Sequence, residues 1–247
     1  MRLHRFIGDF SFEEGSASGG NFSKNKLTIS DKELVNQIKN VLRLKIGDEI
    51  RLDDGKEKSA LAEIISITRA GIEVDISEVS ENKNELPIYG TLYCSILKRE
   101  NFELVAQKAT EIGIKEIVPI ISSRTIKLNL REDRLEKIIK EAAEQSGRGI
   151  VPKLNKPMKF DDALMHSRAN DLNFFFHPGG EPLKGIKHDF QRVGIFVGPE
   201  GGWDEVEEKV VGDLSTGAGH YKIANLGPLT LRAETAAIVA TYAVLNK

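Results

Sequence analysis

Three segments in the second half of the chain combine glycine with side chains that can bind or react. They are 177–180 (His-Pro-Gly-Gly), 198–202 (Gly-Pro-Glu-Gly-Gly) and 226–232 (Leu-Gly-Pro-Leu-Thr-Leu-Arg). Glycine allows the backbone to approach a ligand closely and to adopt positive φ angles. The glycine spacing differs from that of dinucleotide-binding and phosphate-binding loops. The segments therefore indicate a ligand site of another kind, and the alternative is that they are ordinary strand-to-helix turns.

Arg232 lies at the start of a predicted helix, 231–245, where the positive end of the helix dipole disfavours a cation. A residue that breaks a local rule without visible compensation often has a functional role. The planar guanidinium of arginine is suited to stabilise negative charge that develops on an oxygen atom. The alternative is that Arg232 only forms an ion pair with Glu200 or Glu234.

Strands and helices alternate after residue 90, which predicts an α/β domain with a mainly parallel sheet. In such sheets ligands bind at the carboxyl ends of the strands, where the three segments lie. Asp204 and Glu207 have the spacing of a capping box, so we expect these carboxylates to be structural and Glu200 to have no duty at the helix start. The predicted strands are Thr91–Leu97, Glu116–Ile121, Leu172–Phe176, Val193–Val197 and Tyr221–Ala224, and the predicted helices are Asn101–Ile112, Arg131–Ser146, Asp204–Leu214 and Leu231–Leu245.

The first 80 residues consist of short strands and turns, which predict a small β-barrel. Residues 72–76 (Ile-Glu-Val-Asp-Ile) alternate with the period of two that is typical of a half-buried strand. Asp31 is placed to cap a short amphipathic helix that reaches Leu42. The polar stretch Ser80–Pro87 has the composition of a linker. We therefore predict two domains, 1–80 and 81–247.

The charge of the whole chain does not indicate a non-specific nucleic-acid-binding protein. The 247 residues include 35 Lys and Arg against 37 Asp and Glu, which gives a formal net charge of −2. Residues 1–90 hold 13 basic and 16 acidic side chains, and residues 91–247 hold 22 and 21. Any RNA site must therefore be a local patch of charge.

The single cysteine, Cys94, excludes an internal disulfide and a cysteine-based metal cluster. It lies in the apolar run Leu92–Leu97, which predicts a buried structural thiol. No apolar run approaches the roughly 18–20 residues of a membrane span, and the N-terminus lacks the apolar stretch of a signal peptide. We therefore expect a cytoplasmic protein with no metal site and no membrane contact.

The 198–202 loop, together with the pattern Leu226-Gly227 followed by Leu231-Arg232-x-Glu234-Thr235-Ala236, resembles the RsmE family. These bacterial methyltransferases modify N3 of a uridine in 16S ribosomal RNA. The resemblance covers nearly the whole chain, and several motifs in one order are far more specific than any one alone. The other shared motifs are Arg5-Phe6, Asn40-Val41-Leu42-Arg43, Gln107–Gly113, Ser123-Arg124, Glu144–Arg148 and His177-Pro178.

The resemblance implies a PUA-like N-terminal β-barrel and a C-terminal SPOUT-type α/β domain with a deep trefoil knot. The 198–202 and 226–232 loops would form the knot and bind S-adenosyl-L-methionine, largely through backbone groups. The cofactor-binding residues implied are His177, Val197, Gly198, Pro199, Glu200, Gly201, Gly202, Leu226, Gly227, Leu231 and Arg232.

Methyl transfer to uracil N3 requires removal of the N3 proton and stabilisation of charge on the ring oxygens, and neither step needs a metal. We expect Arg232 to stabilise that charge. Glu234 is the first candidate for the base, and Glu200 or water are alternatives. The predicted RNA contacts are Arg2, Arg5, Arg43, Arg124 and Arg148. For Arg148, the alternative is an ordinary basic residue at the end of a helix.

The resemblance also implies a homodimer whose substrate is 16S ribosomal RNA in the assembled small ribosomal subunit. Four alanines of the C-terminal helix are spaced for close packing against a partner: Ala236, Ala237, Ala240 and Ala243. The alternative is that they pack on the sheet of their own chain. Two other functions stay open, a knotted methyltransferase that acts on another RNA such as transfer RNA, and a non-catalytic RNA-binding protein associated with the ribosome.

Overall fold

A computed structural model describes residues 3–12, 25–126, 130–183, 189–216 and 220–246. The chain divides into two compact units. Unit 1 comprises Met1–Glu85 and Ala143–Val151, and unit 2 comprises Leu86–Ala142 and Pro152–Lys247. The domains proposed from the sequence, 1–80 and 81–247, place residues 143–151 with the second domain, whereas in the structure these residues cluster in unit 1.

Unit 1 is built on a five-stranded sheet in the order β1-β3-β4-β5-β2. Its strands are β1 (His4–Ile7), β2 (Lys26–Ile29), β3 (Glu49–Asp53), β4 (Lys58–Ile67) and β5 (Ile72–Glu81). The β1–β3 pair is parallel and the other pairs are antiparallel. Alternate side chains of the strands form one apolar core, which includes Phe6, Leu27, Ile29, Ile50, Leu52, Ile64, Ile72 and Val74.

The predicted N-cap at Asp31 is confirmed, since its carboxylate accepts the Leu34 N–H at 2.8 Å. The helix that follows, α1 (Lys32–Asn36), continues as a π-helical turn, Gln37–Val41. Leu34 and Ile38 are buried in the unit 1 core, as the amphipathic pattern requires.

The polar stretch after β5 is not a linker. The Asn82 side chain is buried and donates to the Gly147 carbonyl at 3.2 Å. The Glu85 carboxylate binds the Arg148 guanidinium at 2.7 Å and accepts the Gly149 N–H at 3.2 Å. These contacts, each between residues more than 60 positions apart, are the reason that 143–151 belongs to unit 1.

Unit 2 contains a parallel sheet in the order β12-β10-β11-β6-β7-β8. Strand β9 pairs with the same edge of β7 as β8 does, further along that strand. The strands are β6 (Tyr89–Ser95), β7 (Glu116–Ile121), β8 (Lys153–Leu154), β9 (Met158–Lys159), β10 (Leu172–Pro182), β11 (Arg192–Val197) and β12 (Tyr221–Asn225). Nearly every residue of β6 and β11 is buried, as a sheet with both faces covered requires. The predicted α/β class is therefore confirmed.

The helices that follow these strands are α2 (Arg99–Ile112), α3 (Glu132–Ser146), α4 (Phe160–His166), α5 (Glu205–Thr216) and α6 (Ala233–Leu245), and residues 143–146 of α3 cluster in unit 1. Helix α4 was not predicted, because seven residues are too few to show a helical period. Helices α4 and α5 cover an aromatic core beneath the sheet, which includes Tyr93, Phe160, Phe175, Phe196 and Trp203. Helices α2 and α6 pack on each other.

Two further expectations concern the whole chain. Cys94 is fully buried in β6, and burial raises the pKa of its thiol, which confirms a structural cysteine. Within the described residues, no helix has the length and apolar character needed to cross a membrane. Strand order alone does not test the trefoil knot, which stays a prediction.

The buried ion pair of unit 1 gives a test of its stability. Glu85→Ala should lower the free energy of unfolding by about 3–5 kcal/mol, because it removes the buried carboxylate that accepts from the Arg148 guanidinium and from the N–H groups of Gly149 and Ile150. Urea denaturation followed by circular dichroism measures the change. Glu78→Ala, which removes an exposed carboxylate of β5, is the matched control and should change the free energy by less than about 0.5 kcal/mol. Equal effects of the two substitutions would contradict a structural role for the ion pair.

Candidate functional site

A pocket of about 850 Å³ in unit 2 lies where β6, β11 and β12 reach their carboxyl ends, beside residues 176–178 of β10. Both predicted glycine loops line it, together with His177 and Pro178. All eleven residues predicted to bind a cofactor, and Glu234, are therefore brought to one place. The remaining lining residues are Lys98, Asn101, Arg124, Phe176, Trp203, Glu208, Ala224, Asn225, Leu229, Thr230, Ala233 and Ala236.

The 198–202 loop is held on two sides by hydrogen bonds. The Glu200 carboxylate accepts the N–H of Lys98, which precedes α2, at 3.1 Å. The Arg124 guanidinium donates to the Gly201 carbonyl at 2.9 Å. The loop turns tightly at Gly202, which has a φ of 71° and donates to the Pro199 carbonyl at 2.9 Å. Glu200 takes no part in the start of α5, as expected, and its carboxylate instead binds a backbone group about 100 residues away in the sequence.

Trp203 joins this loop to the sheet. Its ring is 2% exposed and stacks on Phe175 with a centroid distance of 4.5 Å. Its indole N–H donates to the Phe176 carbonyl at 3.1 Å. A Cβ atom on Gly198 would lie 3.0 Å from the indole ring, so this position requires glycine for packing as well as for access to the pocket.

Helix α5 begins at the predicted capping box. The Asp204 carboxylate accepts the Glu207 N–H at 2.8 Å, and the Glu207 carboxylate accepts the Asp204 N–H at 3.0 Å. Glu207 also accepts the Ser123 N–H at 2.9 Å. A hydrogen bond from the Ser123 hydroxyl, followed by the Glu207 N–H, holds the pKa of Asp204 below its usual value. These carboxylates are confirmed as structural.

The 177–180 segment is a bulge within β10 and not the end of the strand. Pairing with β12 shifts between Phe176 and Glu181, which both lie opposite Ala224. A Cβ atom on Gly180 would lie 2.7 Å from the Ala224 backbone, so only glycine fits there. The His177 Nδ1 accepts the Gly179 N–H at 3.0 Å, and its Nε2 lies 3.2 Å from Glu208. The strand predicted from the sequence ended at Phe176, because His-Pro-Gly-Gly has the composition of a turn.

Arg232 is the N-cap residue of α6, one position before the helix, and it has an extended backbone. Its side chain is exposed and lines the pocket. Among the residues that the structure describes, no carboxylate forms an ion pair with Arg232, so the alternative that Glu200 or Glu234 neutralises it receives no support. Glu234 is half-buried in the first turn of α6, where the helix dipole favours a negative charge.

The other predicted arginines have different surroundings. Arg148 is 4% exposed and bound to Glu85, and the half-buried Arg5 donates to the Gly147 carbonyl at 2.9 Å. These contacts give both residues a role in unit 1 and do not support RNA contacts. Arg43 is exposed and has a positive φ of 55°, and Arg124 lines the pocket. Arg2 lies outside the described residues.

Several pocket residues were not predicted from the sequence: Lys98, Asn101, Trp203, Glu208 and Asn225. Lys98 and Asn101 follow the carboxyl end of β6, and the strand-end argument applied to β10, β11 and β12 would have found them there. Trp203 and Glu208 belong to the loop and helix after β11, and no local pattern marks them. In the described ranges, no group of three or more His, Cys, Asp or Glu side chains is placed to hold a metal ion.

Comparison with protein-family models finds two matches. Residues 84–245 match a model described as an RNA methyltransferase domain, and residues 30–77 match one described as an RNA methyltransferase PUA domain. The first match spans most of unit 2, including every residue of the pocket. The second lies within unit 1.

Individual proteins agree with these models. The chain is similar to ribosomal RNA small subunit methyltransferase E of Rickettsia conorii, with 30% identity over 223 residues that cover 87% of each chain. It is similar to a crystal structure of ribosomal RNA small subunit methyltransferase E of Neisseria gonorrhoeae bound to S-adenosyl methionine, with a TM-score of 0.83, 30% identity and coverage of 98% of this chain and 97% of that one. A Legionella pneumophila protein described as a methyltransferase, in complex with the bound cofactor SAM, gives a TM-score of 0.80, 29% identity and coverage of 99% and 97%.

The contact between Gly198 and Trp203 can be tested with a matched pair of glycines. Gly198→Ala should lower the free energy of unfolding by about 1–3 kcal/mol, because the added Cβ meets a ring that is packed on all sides. Gly212→Ala in α5, where an added Cβ meets no atom within 4 Å, should instead raise it by about 0.5–1 kcal/mol through helix propensity. Urea denaturation followed by the fluorescence of Trp203, the only tryptophan, measures both. A stabilising Gly198→Ala would contradict the tight contact.

Proposed function

This chain belongs to the RsmE family of ribosomal RNA small subunit methyltransferases, and from that premise we propose that it transfers a methyl group from S-adenosyl-L-methionine to N3 of a uridine in 16S ribosomal RNA. The observation that carries the proposal is the pocket itself. It brings both glycine loops, His177, Pro178 and Arg232, which forms no ion pair with a described carboxylate, together at the carboxyl edge of a parallel sheet. The competing methyltransferase on another RNA and the non-catalytic ribosome-associated protein have no observation that favours them.

The pocket residues fit S-adenosyl-L-methionine. The apolar part of the pocket lining, which includes Phe176, Val197, Leu226 and Leu231, suits an adenine ring. Gly202 and Gly227 have positive φ, and an added Cβ at either would meet open space, so their backbone groups are accessible. The carboxylates Glu200, Glu208 and Glu234 balance the positive charges of a sulfonium and an ammonium group. The volume of about 850 Å³ leaves room for a base beside the cofactor.

The cofactor supplies the methyl group, and the residues of the chain act on the uracil. Arg232 has no carboxylate partner among the described residues, so its guanidinium is available to donate to a ring oxygen as negative charge develops there. Glu234, two residues further, is the proposed acceptor of the N3 proton. No metal takes part in either step.

We place the substrate in the assembled small ribosomal subunit and the enzyme in the cytoplasm. Unit 1 is the proposed RNA-binding domain, since it contains the match to an RNA methyltransferase PUA domain. Arg43 and Arg124, both exposed, are the proposed RNA contacts. Phosphate contacts by such residues would orient the RNA without reading its sequence.

Single-turnover methylation of small ribosomal subunits tests the proposal. The chain with labelled cofactor should produce 3-methyluridine in 16S ribosomal RNA, measured by nucleoside mass spectrometry. Product in transfer RNA alone would favour the other methyltransferase, and no product in any RNA would favour the non-catalytic protein.

Arg232→Ala tests the catalytic assignment in the same assay. The rate should fall roughly a hundredfold or more, the usual effect of losing a donor to developing charge. The melting temperature should stay equal or rise slightly, because removal of a cation from a helix N-terminus contributes about 0.3–1 kcal/mol. Arg168→Ala, which removes an exposed arginine outside the pocket, is the control and should keep the rate. A folded Arg232→Ala enzyme with a normal rate would remove Arg232 from the mechanism.

The proposed homodimer has a better candidate surface than the four alanines. Ala237 and Ala240 are fully buried within unit 2, where α6 packs on α2. The outward face of α6 instead exposes Val239 (40%) and Tyr242 (59%), which lie one turn apart. Two adjacent apolar side chains on one helix face suit burial against a second copy.

Light scattering tests this surface. The wild-type chain should have the mass of a dimer at micromolar concentration, and Tyr242→Glu should shift it to monomer, because a charge buried in an apolar interface is costly. Met165→Glu changes an equally exposed apolar side chain (60%) on α4 and should leave the dimer intact. A monomeric wild-type chain would overturn the dimer, and a dimeric Tyr242→Glu would move the interface away from α6.

A further inference from the structure

The tautomer of His177 is fixed by its two neighbours. Nδ1 accepts the Gly179 N–H at 3.0 Å, so it carries a lone pair and no proton. Nε2 then carries the single proton of the neutral ring, and it lies 3.2 Å from the Glu208 carboxylate of α5. Glu208 therefore orients the ring, and the ring in turn holds Gly179.

The contact at Gly179 is one link in a chain of hydrogen bonds that crosses the pocket wall. The next carbonyl, of Gly180, accepts a hydrogen bond from the Asn225 side-chain amide. The side-chain oxygen of Asn225, Oδ1, accepts the N–H of Gly227 at 3.0 Å. Asn225 thus joins the 177–180 segment to the 226–232 loop, at the glycine whose φ is 117°.

Protonation of His177 would break the first link. A proton on Nδ1 would point at the Gly179 N–H, so two donors would face each other at 3.0 Å. The ring lies against Gly179, since a Cβ atom added there would lie 3.2 Å from Nδ1. The other charged side chains that line the pocket are Lys98, Arg124, Glu200, Arg232 and Glu234.

We propose that His177 and Glu208 are positioning residues that shape the cofactor pocket, and that the neutral His177 ring is the form that binds cofactor. The inference rests on the proposed function, because the ligand whose affinity changes is S-adenosyl-L-methionine. Protonation of His177 would therefore lower the cofactor affinity.

Calorimetry with S-adenosyl-L-methionine between pH 5.5 and 8.0 tests the pair. His177→Ala should bind roughly three- to tenfold more weakly than wild type at pH 7.5, the effect of one lost hydrogen bond. His177→Asn should restore much of that loss, because an Asn side-chain oxygen accepts the N–H two residues on and does not titrate. The ligand's own amino group titrates in this range in every sample, so the comparison between variants isolates His177.

The outcomes separate clearly. Wild-type affinity should fall by roughly a further three- to tenfold relative to His177→Asn once the His177 ring is protonated. Glu208→Ala should also bind more weakly than wild type, because the carboxylate that orients the His177 ring is lost. His220→Asn, an exposed histidine before β12, should behave as wild type.

Parallel pH curves for wild type and His177→Asn, or normal affinity in His177→Ala, would overturn the positioning role while leaving the proposed function intact. No binding by the wild type at any pH would overturn the proposed function, and this inference with it. Thermal melts of each variant show whether it is folded, and the comparison of wild type with His177→Asn stands even where His177→Ala does not fold.

Discussion

The buried indole of Trp203 sets the spacing between the parts that form the pocket. One ring contacts the 198–202 loop through Gly198, the middle of β10 through the Phe176 carbonyl, and the core through Phe175. It immediately precedes the capping box of α5, so the helix start is fixed relative to the sheet. Close-packed interiors do not deform gradually, and the loop, strand and helix therefore hold one geometry together.

Around this centre, hydrogen bonds from side chains in and beside the pocket loops hold these loops in place. Glu200 and Arg124 brace the 198–202 loop through backbone groups at Lys98 and Gly201, and Asn225 braces the 226–232 loop through Gly227. Loops rich in glycine lose much conformational entropy when a ligand orders them. Hydrogen bonds that order the loops before the ligand binds reduce this entropic cost, so the backbone groups can bind a cofactor without large rearrangement.

Local patterns predicted most elements, because apolar period, caps and glycine are encoded within a few residues. The α/β order, the Asp204–Glu207 cap and the pocket loops follow from such signals. The sequence could not show that Glu85 is buried against Arg148, because that pairing joins residues 63 positions apart. The β10 bulge was missed for a related reason, since His-Pro-Gly-Gly resembles a turn until the neighbouring Ala224 backbone is known to lie against it.

The two helices that begin at the pocket differ in how their first turns are satisfied. Helix α5 starts with carboxylates that accept its free N–H groups, which stabilises the helix and neutralises its positive end. At α6 no described side chain caps the helix, and a cation stands at the N-cap position instead. This arrangement costs stability, yet it concentrates positive potential and free donors on one side of the pocket. This positive potential destabilises the protein without ligand and stabilises negative charge on a bound base. The unfavourable start of α6 is therefore what we expect of a site selected for its reaction at a cost in stability.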